Sequence, residues 1–325
     1  MRVLVTGAGG FLGRHVVGQC LARGDDVTAL DLEFRPPLPP GTEPVVGSVT
    51  DRAIVDRAAT DCDAVVHCAA LTGLWRPRPA EFDEVNVLGT ETVLDAARAA
   101  GISRVVVVSS FVTLISGGRG APETVNENLE LPVAAMCGPY PRSKRRAELM
   151  CRAHPVDPVI VLPTAPVGPG DFGLTPPSRM LADLAQGRLP AMLDCTWNFV
   201  DVRSLASGVL SALELGKPGR RYLLGGENLD TDGLKALLEP VLDEAFPRLR
   251  VPYPVAFAAG YAEAAFSAVT GRAPKGPLTG IRLAGPRRTF DTARARAELW
   301  YRPEPVAPAF ADALDWMRQN GVIDA

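Results

Sequence analysis

A glycine-rich turn near the N-terminus limits the folds open to this chain more than any other feature. Gly7, Gly10 and Gly13 follow a short run of valine and leucine and open a helical pattern that includes Phe11 and Leu12. Glycines at this spacing permit a tight turn, a close approach of the backbone to a pyrophosphate, and close packing of the helix on the strand. The N-terminus of the helix would face the phosphates. The pattern therefore predicts a dinucleotide-binding α/β domain.

An acidic residue indicates which dinucleotide is preferred. Asp31 ends the second predicted strand, 18 residues after Gly13, where a carboxylate can accept hydrogen bonds from the adenosine ribose hydroxyls. Its charge would repel a 2′-phosphate, so the sequence favours NAD over NADP. Arg14 and Arg35 are basic residues that could partner such a phosphate, and they leave NADP as the second choice.

Strand and helix patterns alternate through the first half of the chain. The predicted strands carry consecutive apolar residues, as expected for a parallel sheet that is covered on both faces. This alternation predicts an α/β fold, a doubly wound parallel Rossmann sheet with a smaller C-terminal substrate-binding lobe. The predicted strands are residues 3–5, 27–30, 64–67, 105–108 and 159–162, and the predicted helices are 11–23, 51–59, 81–100 and 140–153.

The pattern changes after residue 165, where proline and glycine mix with shorter helices. We predict an NAD(P)-binding Rossmann domain over residues 1–165 and a smaller substrate-binding lobe over 166–325, some of whose strands and helices could return to the main domain. Residues 35–44 are predicted to be a loop, because successive prolines remove ladder donors. The later helices are predicted at about 177–186, 203–215, 231–244, 254–269 and 306–319.

A tyrosine and a lysine provide a candidate chemical site. Tyr140 and Lys144 lie four residues apart on a predicted helix, so their side chains share one face. A free tyrosine has a pKa near 10, too high for a base at neutral pH. A nearby ammonium group would stabilise the phenolate, and Tyr140 could then exchange a proton with a substrate hydroxyl or carbonyl.

The order of several motifs makes a family resemblance specific. The chain resembles the extended short-chain dehydrogenases/reductases, the NAD-dependent epimerase/dehydratase family. Within that family it is most similar to the hopanoid-associated sugar epimerase-like proteins, with dihydroflavonol reductases and 3β-hydroxysteroid dehydrogenases as more distant relatives. The motifs are residues 6–13, 67–70, Asn86 within 86–90, Ser109-Ser110, Tyr140-x-x-x-Lys144, 163–171, 198–203 and 222–228.

The resemblance implies roles for further residues. Ser110 would orient the reacting oxygen, with Ser109 as the alternative. Ser48 stands where relatives often carry an acid near the adenine, which leaves backbone groups and Val49 to hold that ring. Substrate contacts are expected from Ser110, Tyr140 and, less strongly, Thr113. The remaining cofactor contacts are expected from Cys68, Ala69, Ala70, Lys144, Pro163 and Val167, while His67 and Asn86 are expected to be structural.

Composition excludes several other classes. The net charge is −3 with acidic and basic residues mixed, which argues against a nucleic-acid surface. Six cysteines without a Cys-x-x-Cys pair and three separated histidines argue against a disulfide framework and a metal site. No stretch is long and apolar enough to suggest a signal peptide or a membrane span. We therefore expect a cytoplasmic protein with a small-molecule substrate, and by resemblance a homodimer through helices 81–100 and 140–153.

Three functions compete at this stage. An NAD-dependent oxidoreductase that interconverts a secondary alcohol and a ketone is favoured, because residues 163–171 resemble the reductase branch and residues 251–269 could wall an apolar pocket. A nucleotide-sugar epimerase is the alternative, and Arg179, Arg188 and Arg203 are its candidate diphosphate ligands, with Arg179 the foremost substrate contact. A non-catalytic dinucleotide-binding protein is disfavoured by the intact Ser110, Tyr140 and Lys144. Sugar-nucleotide dehydration would need an acid pair, but Phe111 and Val112 follow Ser110.

Overall fold

A parallel sheet of seven strands forms the larger part of the fold in the computed structural model, which describes residues 1–116, 123–272, 278–284 and 288–324. The strands along the chain are β1 (Arg2–Thr6), β2 (Asp26–Asp31), β3 (Thr42–Val46), β4 (Ala64–His67), β5 (Arg104–Val108), β6 (Thr124–Val125), β7 (Val159–Pro163), β8 (Ala165–Val167), β9 (Ala191–Leu193), β10 (Trp197–Asp201), β11 (Arg221–Leu224), β12 (Glu227–Leu229), β13 (Leu249–Val251) and β14 (Thr289–Phe290). The large sheet has the order β3–β2–β1–β4–β5–β7–β11, so the predicted α/β fold is confirmed.

Helices cover both faces of this sheet and build the smaller lobe. They are α1 (Phe11–Ala22), α2 (Arg52–Ala59), α3 (Glu81–Asp83), α4 (Gly89–Ala99), α5 (Pro139–Ala153), α6 (Pro176–Ala185), α7 (Val202–Leu215), α8 (Thr231–Leu238), α9 (Tyr253–Thr270), α10 (Leu278–Ala284), α11 (Ala293–Glu298) and α12 (Val306–Gln319). Short 3-10 turns span Phe111–Leu114 and Val133–Ala135, and a π-helical turn spans Glu84–Leu88.

The core explains why the central strands are largely apolar on both faces. In β1, Val3 and Val5 pack into a cluster on the side of α1 and α7, whereas Leu4 packs into a second cluster on the side of α2, α4 and α5. All three side chains are completely buried. A strand buried on both faces has no position at which a polar side chain would reach water.

The lobe has its own core and small sheets. Strands β12, β10 and β8 form a three-stranded sheet, and the pairs β13–β9 and β14–β6 form two-stranded ones. Helices α6, α8 and α12 pack around Phe199 and Phe310, whose rings make an edge contact at 5.2 Å. The chain returns from the lobe to the main body twice: α7 packs on α1, and β11 extends the large sheet beside β7. The division at residue 165 stays a prediction.

Three local predictions differ from the structure. Residues 42–44, predicted as loop, belong to β3, which tolerates Pro44 because it is the edge strand. Helix α8 ends at Leu238 rather than at 244, because Pro240 has no backbone N–H with which to continue the helical hydrogen bonds. The single helix predicted over 81–100 is interrupted by the π-helical turn. The apolar pattern gave no sign of that insertion.

Candidate active site

The glycine-rich turn lies between β1 and α1 and leaves room above the helix N-terminus. Gly7 has φ +67°, and a Cβ there would lie 2.5 Å from the Ala69 backbone nitrogen. A Cβ on Gly13 would collide with the Gly7 carbonyl oxygen. A Cβ on Gly10 would meet only the Gly7 carbonyl oxygen, at 3.2 Å. Gly10 is also the N-cap residue of α1, so no side chain bonds the backbone N–H groups there. The backbone therefore forms a cradle that fits a pyrophosphate.

A cavity of about 650 Å³ opens at the carboxyl ends of the strands and continues towards the lobe. This is the position at which open α/β sheets bind their ligands. Most of the predicted site residues line it together, although they come from seven separate parts of the chain. They are Gly7, Gly10, Phe11, Leu12, Gly13, Asp31, Ser48, Val49, Cys68, Ala69, Ala70, Ser110, Tyr140, Lys144 and Pro163.

Three predicted contact residues do not line this cavity. Val167 is buried in the lobe core, where it packs with Phe199. Thr113 is fully buried, and its hydroxyl donates to the Glu148 carboxylate at 2.6 Å. Arg179 is exposed on α6, one residue before the cavity-lining Met180. The predictions for Val167, Thr113 and Arg179 therefore find no support in the geometry, because each side chain points to a core, a carboxylate or solvent.

Asp31 occupies the end of β2 at the cavity wall. Its Oδ2 accepts from the Gly9 backbone N–H at 2.8 Å, and its Oδ1 accepts from the Leu32 N–H at 2.7 Å. Burial raises the pKa of Asp31, and these two hydrogen bonds oppose that rise. The backbone thus fixes the carboxylate in place at the edge of the cavity.

The two arginines considered as phosphate partners are already engaged. The Arg14 guanidinium donates to the Gly9 carbonyl oxygen at 2.9 Å and lies 5.6 Å over the Phe172 ring. Arg35 is highly exposed and forms an ion pair with Glu33 at 3.3 Å. Neither arginine lines the cavity.

The chemical group is built on α5 and on the turn after β5. Tyr140 lies in the first turn of α5 and shares a side-chain hydrogen bond with Ser110, which caps the 3-10 turn that follows β5. Lys144 follows one helical turn later and donates from Nζ to the Val108 carbonyl oxygen at 2.9 Å. All three side chains line the same cavity.

Burial has the largest effect on the pKa values of Tyr140 and Lys144. It raises the pKa of Tyr140 to about 12, and the hydrogen bond with Ser110 works in the opposite direction. It also lowers the pKa of Lys144 to about 8, although the charge of Glu148 opposes that shift. The expected lowering of the phenol pKa by the ammonium group is not found, because burial dominates and the Ser110 hydrogen bond is the group that opposes it. Tyr140 is therefore a neutral phenol that holds a proton facing the cavity.

A buried carboxylate that the sequence reasoning missed connects these elements. Glu148 lies four residues after Lys144, and its Oε1 accepts from Ser109 Oγ at 2.5 Å and from Thr113 Oγ1 at 2.6 Å. Its Oε2 accepts from Arg145 and Arg221, each at 3.2 Å. The side chain is only 1% exposed. Glu148 thus holds the turn that contains Ser110 against α5, which carries Tyr140 and Lys144. Its position four residues after Lys144, on the same helix face, was the sequence feature that could have identified it.

This network also separates the two serines. Because Ser109 donates to Glu148, Ser110 is the serine whose hydroxyl is left to act beside Tyr140. His67 and Asn86 serve structural roles, as predicted. His67 lies between the Thr6 and Thr90 hydroxyls at 2.7 and 3.0 Å. Asn86 pairs with both backbone groups of Leu71.

Few charged side chains line the cavity. Among the described residues, they are Asp31 and Lys144. Arg188 pairs with Asp183, and Arg203 pairs with Asp201 and Asp312, so neither offers a free charge to the cavity. The apolar lining side chains include Leu71, Leu74, Val85, Phe111, Met180, Trp197, Leu283 and Phe290.

Helix α9 does not supply the apolar wall that was predicted from residues 251–269. Its described side chains lie outside the lining, and the wall at this position comes from Gly280, Leu283 and Ala284 of α10. The apolar wall predicted there is thus one helix further along the chain.

A parallel sheet with a glycine-rich turn, an acid at the end of β2 and a Ser–Tyr–Lys group at one edge defines a dinucleotide-binding α/β oxidoreductase. A family model described as the NAD dependent epimerase/dehydratase family matches residues 3–225. The chain belongs to this family, the extended short-chain dehydrogenases/reductases, and the resemblance drawn from its motifs is confirmed. The finer likeness to hopanoid-associated proteins stays a prediction.

Relatives of differing activity match almost the whole chain. A Synechocystis protein provisionally named dihydroflavonol 4-reductase is 31% identical over 98% of this chain and 95% of its own. A Stigmatella aurantiaca ketoreductase of a farnesyl-dihydroquinoline oxide is 32% identical over 99% and 97%. The crystal structure of DesIV, a dTDP-glucose 4,6-dehydratase from Streptomyces venezuelae with NAD and TYD bound, is 27% identical, with a TM-score of 0.77 over 100% and 99% of the chains.

Proposed function

We propose that this protein is an NAD-dependent oxidoreductase that interconverts a secondary alcohol and a ketone on an uncharged, largely apolar substrate. The observation that carries the proposal is the cavity lining, in which Lys144 is the only cationic side chain among the described residues. Lys144 already donates a hydrogen bond to the Val108 carbonyl oxygen, so its charge is not free to bind a diphosphate. A sugar nucleotide would bring a diphosphate, which proteins normally bind with arginine or lysine.

The dinucleotide would be held by groups that are already in place. The backbone cradle at Gly10 and the uncapped N-terminus of α1 would receive the pyrophosphate, and Asp31 would receive the ribose hydroxyls. Ser48 and Val49 would border the adenine, and Lys144 and Pro163 the nicotinamide end. When bound, the nicotinamide ring supplies or accepts the hydride.

The side chains of this chain would move the proton. Because burial keeps the Tyr140 phenol neutral, it can donate its proton to a carbonyl oxygen as that oxygen gains negative charge. Ser110 would hydrogen-bond the same oxygen and fix its orientation. The positive charge of Lys144 would stabilise the phenolate left after transfer. In the oxidative direction the phenolate would take back the alcohol proton.

The two relatives named as reductases support this direction, since one is named for a dihydroflavonol and the other as a ketoreductase of a farnesyl-dihydroquinoline oxide. Epimerisation of a nucleotide sugar remains the second candidate, and the likeness to DesIV, a dTDP-glucose 4,6-dehydratase, favours only its substrate class, a nucleotide sugar. A non-catalytic binding role has no supporting feature, because all three catalytic side chains line one cavity.

Cofactor turnover separates the two candidate reactions. We expect that hydrophobic ketones will be reduced with stoichiometric consumption of NADH, measured by the absorbance of the reduced nicotinamide and by product chromatography. Nucleotide sugars assayed in parallel should give no product. A change in sugar configuration at constant absorbance would overturn the redox proposal, because an epimerase returns the hydride to its own substrate.

Asp31 is expected to make NAD the preferred cofactor. Its carboxylate should disfavour a ribose 2′-phosphate by more than about 1.4 kcal/mol, or about tenfold in affinity. Calorimetric titration should give tighter binding of NAD than of NADP, and Asp31→Asn should remove most of that difference. Asp26→Asn, an exposed change at the opposite end of β2, is the matched control. Tighter NADP binding by the unaltered protein would contradict the assignment.

We also propose that the protein is cytoplasmic and forms a homodimer. The exposed Leu88 and Leu149 lie on the segments predicted to form the dimer interface, and α4 packs against α5 there. These two apolar side chains support an interface between copies.

A further inference from the structure

Helix α9 presents an apolar face to solvent, the reverse of the usual arrangement at a protein surface. Over 18 residues its sequence contains a single charged residue, Glu263. Val255, Tyr261 and Phe266 are 58%, 49% and 60% exposed. We call the exposed residues of this helix the α9 face: Pro254, Val255, Ala258, Ala259, Tyr261, Ala262, Ala265 and Phe266. Contiguous apolar patches of this kind mark interaction surfaces.

The opposite side of α9 packs against α10, which forms part of the cavity wall. Gly260 is buried against α10, and a Cβ there would lie 2.7 Å from Ile281 Cδ1. Helix α10 in turn lines the cavity with Gly280, Leu283 and Ala284. One short helix therefore separates the α9 face from the apolar end of the cavity.

Basic residues surround this apolar face. Arg248 and Arg272 are exposed just before and just after the helix, and the Arg282 guanidinium lies 5.3 Å from the Tyr261 ring centre. Along the sequence, positions 253–290 contain five basic residues and one acidic residue, Glu263, although the whole chain has a net charge of −3. One of the five, Arg288, is buried. An apolar helix face bordered by arginine matches the surface of an anionic bilayer. A two-fold contact with a second copy would instead bring two such basic regions together.

We propose that the α9 face binds the surface of an anionic phospholipid bilayer, with the helix lying in the interface plane. Within the described ranges no helix has the length and apolar character needed to cross a membrane, and peripheral binding requires none. The cavity wall formed by α10 would then lie close to the lipid, in which an apolar substrate concentrates. This last step rests on the proposed function; the binding itself does not.

Vesicle co-sedimentation of the full-length protein with NAD tests the proposal. We expect binding to vesicles of phosphatidylcholine with one third phosphatidylglycerol, weaker binding to phosphatidylcholine alone, and loss of binding at high salt. Val255→Ser combined with Phe266→Ser should lower the partition coefficient at least tenfold. Val46→Ser combined with Leu215→Ser, which alters exposed apolar residues of β3 and α7, should leave it unchanged.

The outcomes separate the possible occupants of this face. Absence of vesicle binding, or equal binding by the α9 variant with its fold verified by circular dichroism, overturns the proposal. If light scattering instead shows that the α9 variant converts a dimer into a monomer, the face joins two copies of the chain. Vesicle binding by a protein that turns over only nucleotide sugars would overturn the proposed function and leave the membrane contact standing.

Discussion

Tyr140→Phe is expected to lower turnover by at least about a hundredfold while leaving NAD affinity within about twofold. The change removes only the phenol hydroxyl, so the ring still packs 5.9 Å from Phe82. The lost group is the proton carrier that we propose, a neutral phenol in a buried position beside Ser110. Steady-state rates with an identified substrate and calorimetry with NAD give the two quantities.

Lys144→Met is the informative comparison for this prediction. It should damage both turnover and NAD binding, because we propose that Lys144 serves both the phenol and the nicotinamide ribose. Thr113→Val, at a buried position outside the cavity lining, should leave NAD affinity unchanged. Substantial activity in Tyr140→Phe would mean that another group carries the proton.

Glu148→Ala is expected to lower the free energy of unfolding by about 3–5 kcal/mol. The change leaves the buried guanidinium groups of Arg145 and Arg221 without the Oε2 acceptor and leaves the Ser109 and Thr113 hydroxyls without a strong one. Arg145 and Arg221 are 4% and 3% exposed, so water cannot replace the lost partner. Denaturant unfolding monitored by fluorescence measures the loss.

Two further variants make this prediction specific. Glu239→Ala removes an exposed glutamate, just after α8, that pairs with Lys235, and its effect should stay below about 1 kcal/mol. Glu148→Gln keeps one oxygen acceptor for the two hydroxyls, so it should recover part of the stability and more of the turnover than Glu148→Ala. A loss below about 1 kcal/mol in Glu148→Ala would show that the network around it rearranges without cost.

The sequence predicted the central strands well because their signal is local. Five strands buried on both faces are mostly apolar, and each was found within a residue of its bounds. Strand β11 gave no such signal, since it begins with Arg221. That arginine is buried, and its hydrogen bonds are accepted by the Glu148 and Glu130 carboxylates and by the Glu127 and Leu129 carbonyl oxygens. No local pattern reveals a partner 73 residues away.

The site was predictable to the same extent. The residues of the glycine-rich turn and the Ser–Tyr–Lys group carry fixed spacings, and they do line one cavity. Arg179 was assigned from its charge alone, and charge does not say whether a helix turns that side chain inward or towards solvent. The role of Glu148 depends on Ser109, Thr113 and Arg221, three residues brought together only by the folded chain.

The return of the chain to the large sheet at β11 affects how this protein is made. Until the ribosome has synthesised residues 221–224, β7 is an outer strand with one row of backbone groups unpaired. Until then Glu148 also lacks one of its two arginine partners. The nucleotide-binding half therefore cannot finish folding before the intervening lobe segment has left the ribosome. A fragment that ends at residue 165 would expose the unpaired edge of β7 and would be prone to aggregate, so neither half is suited to expression by itself.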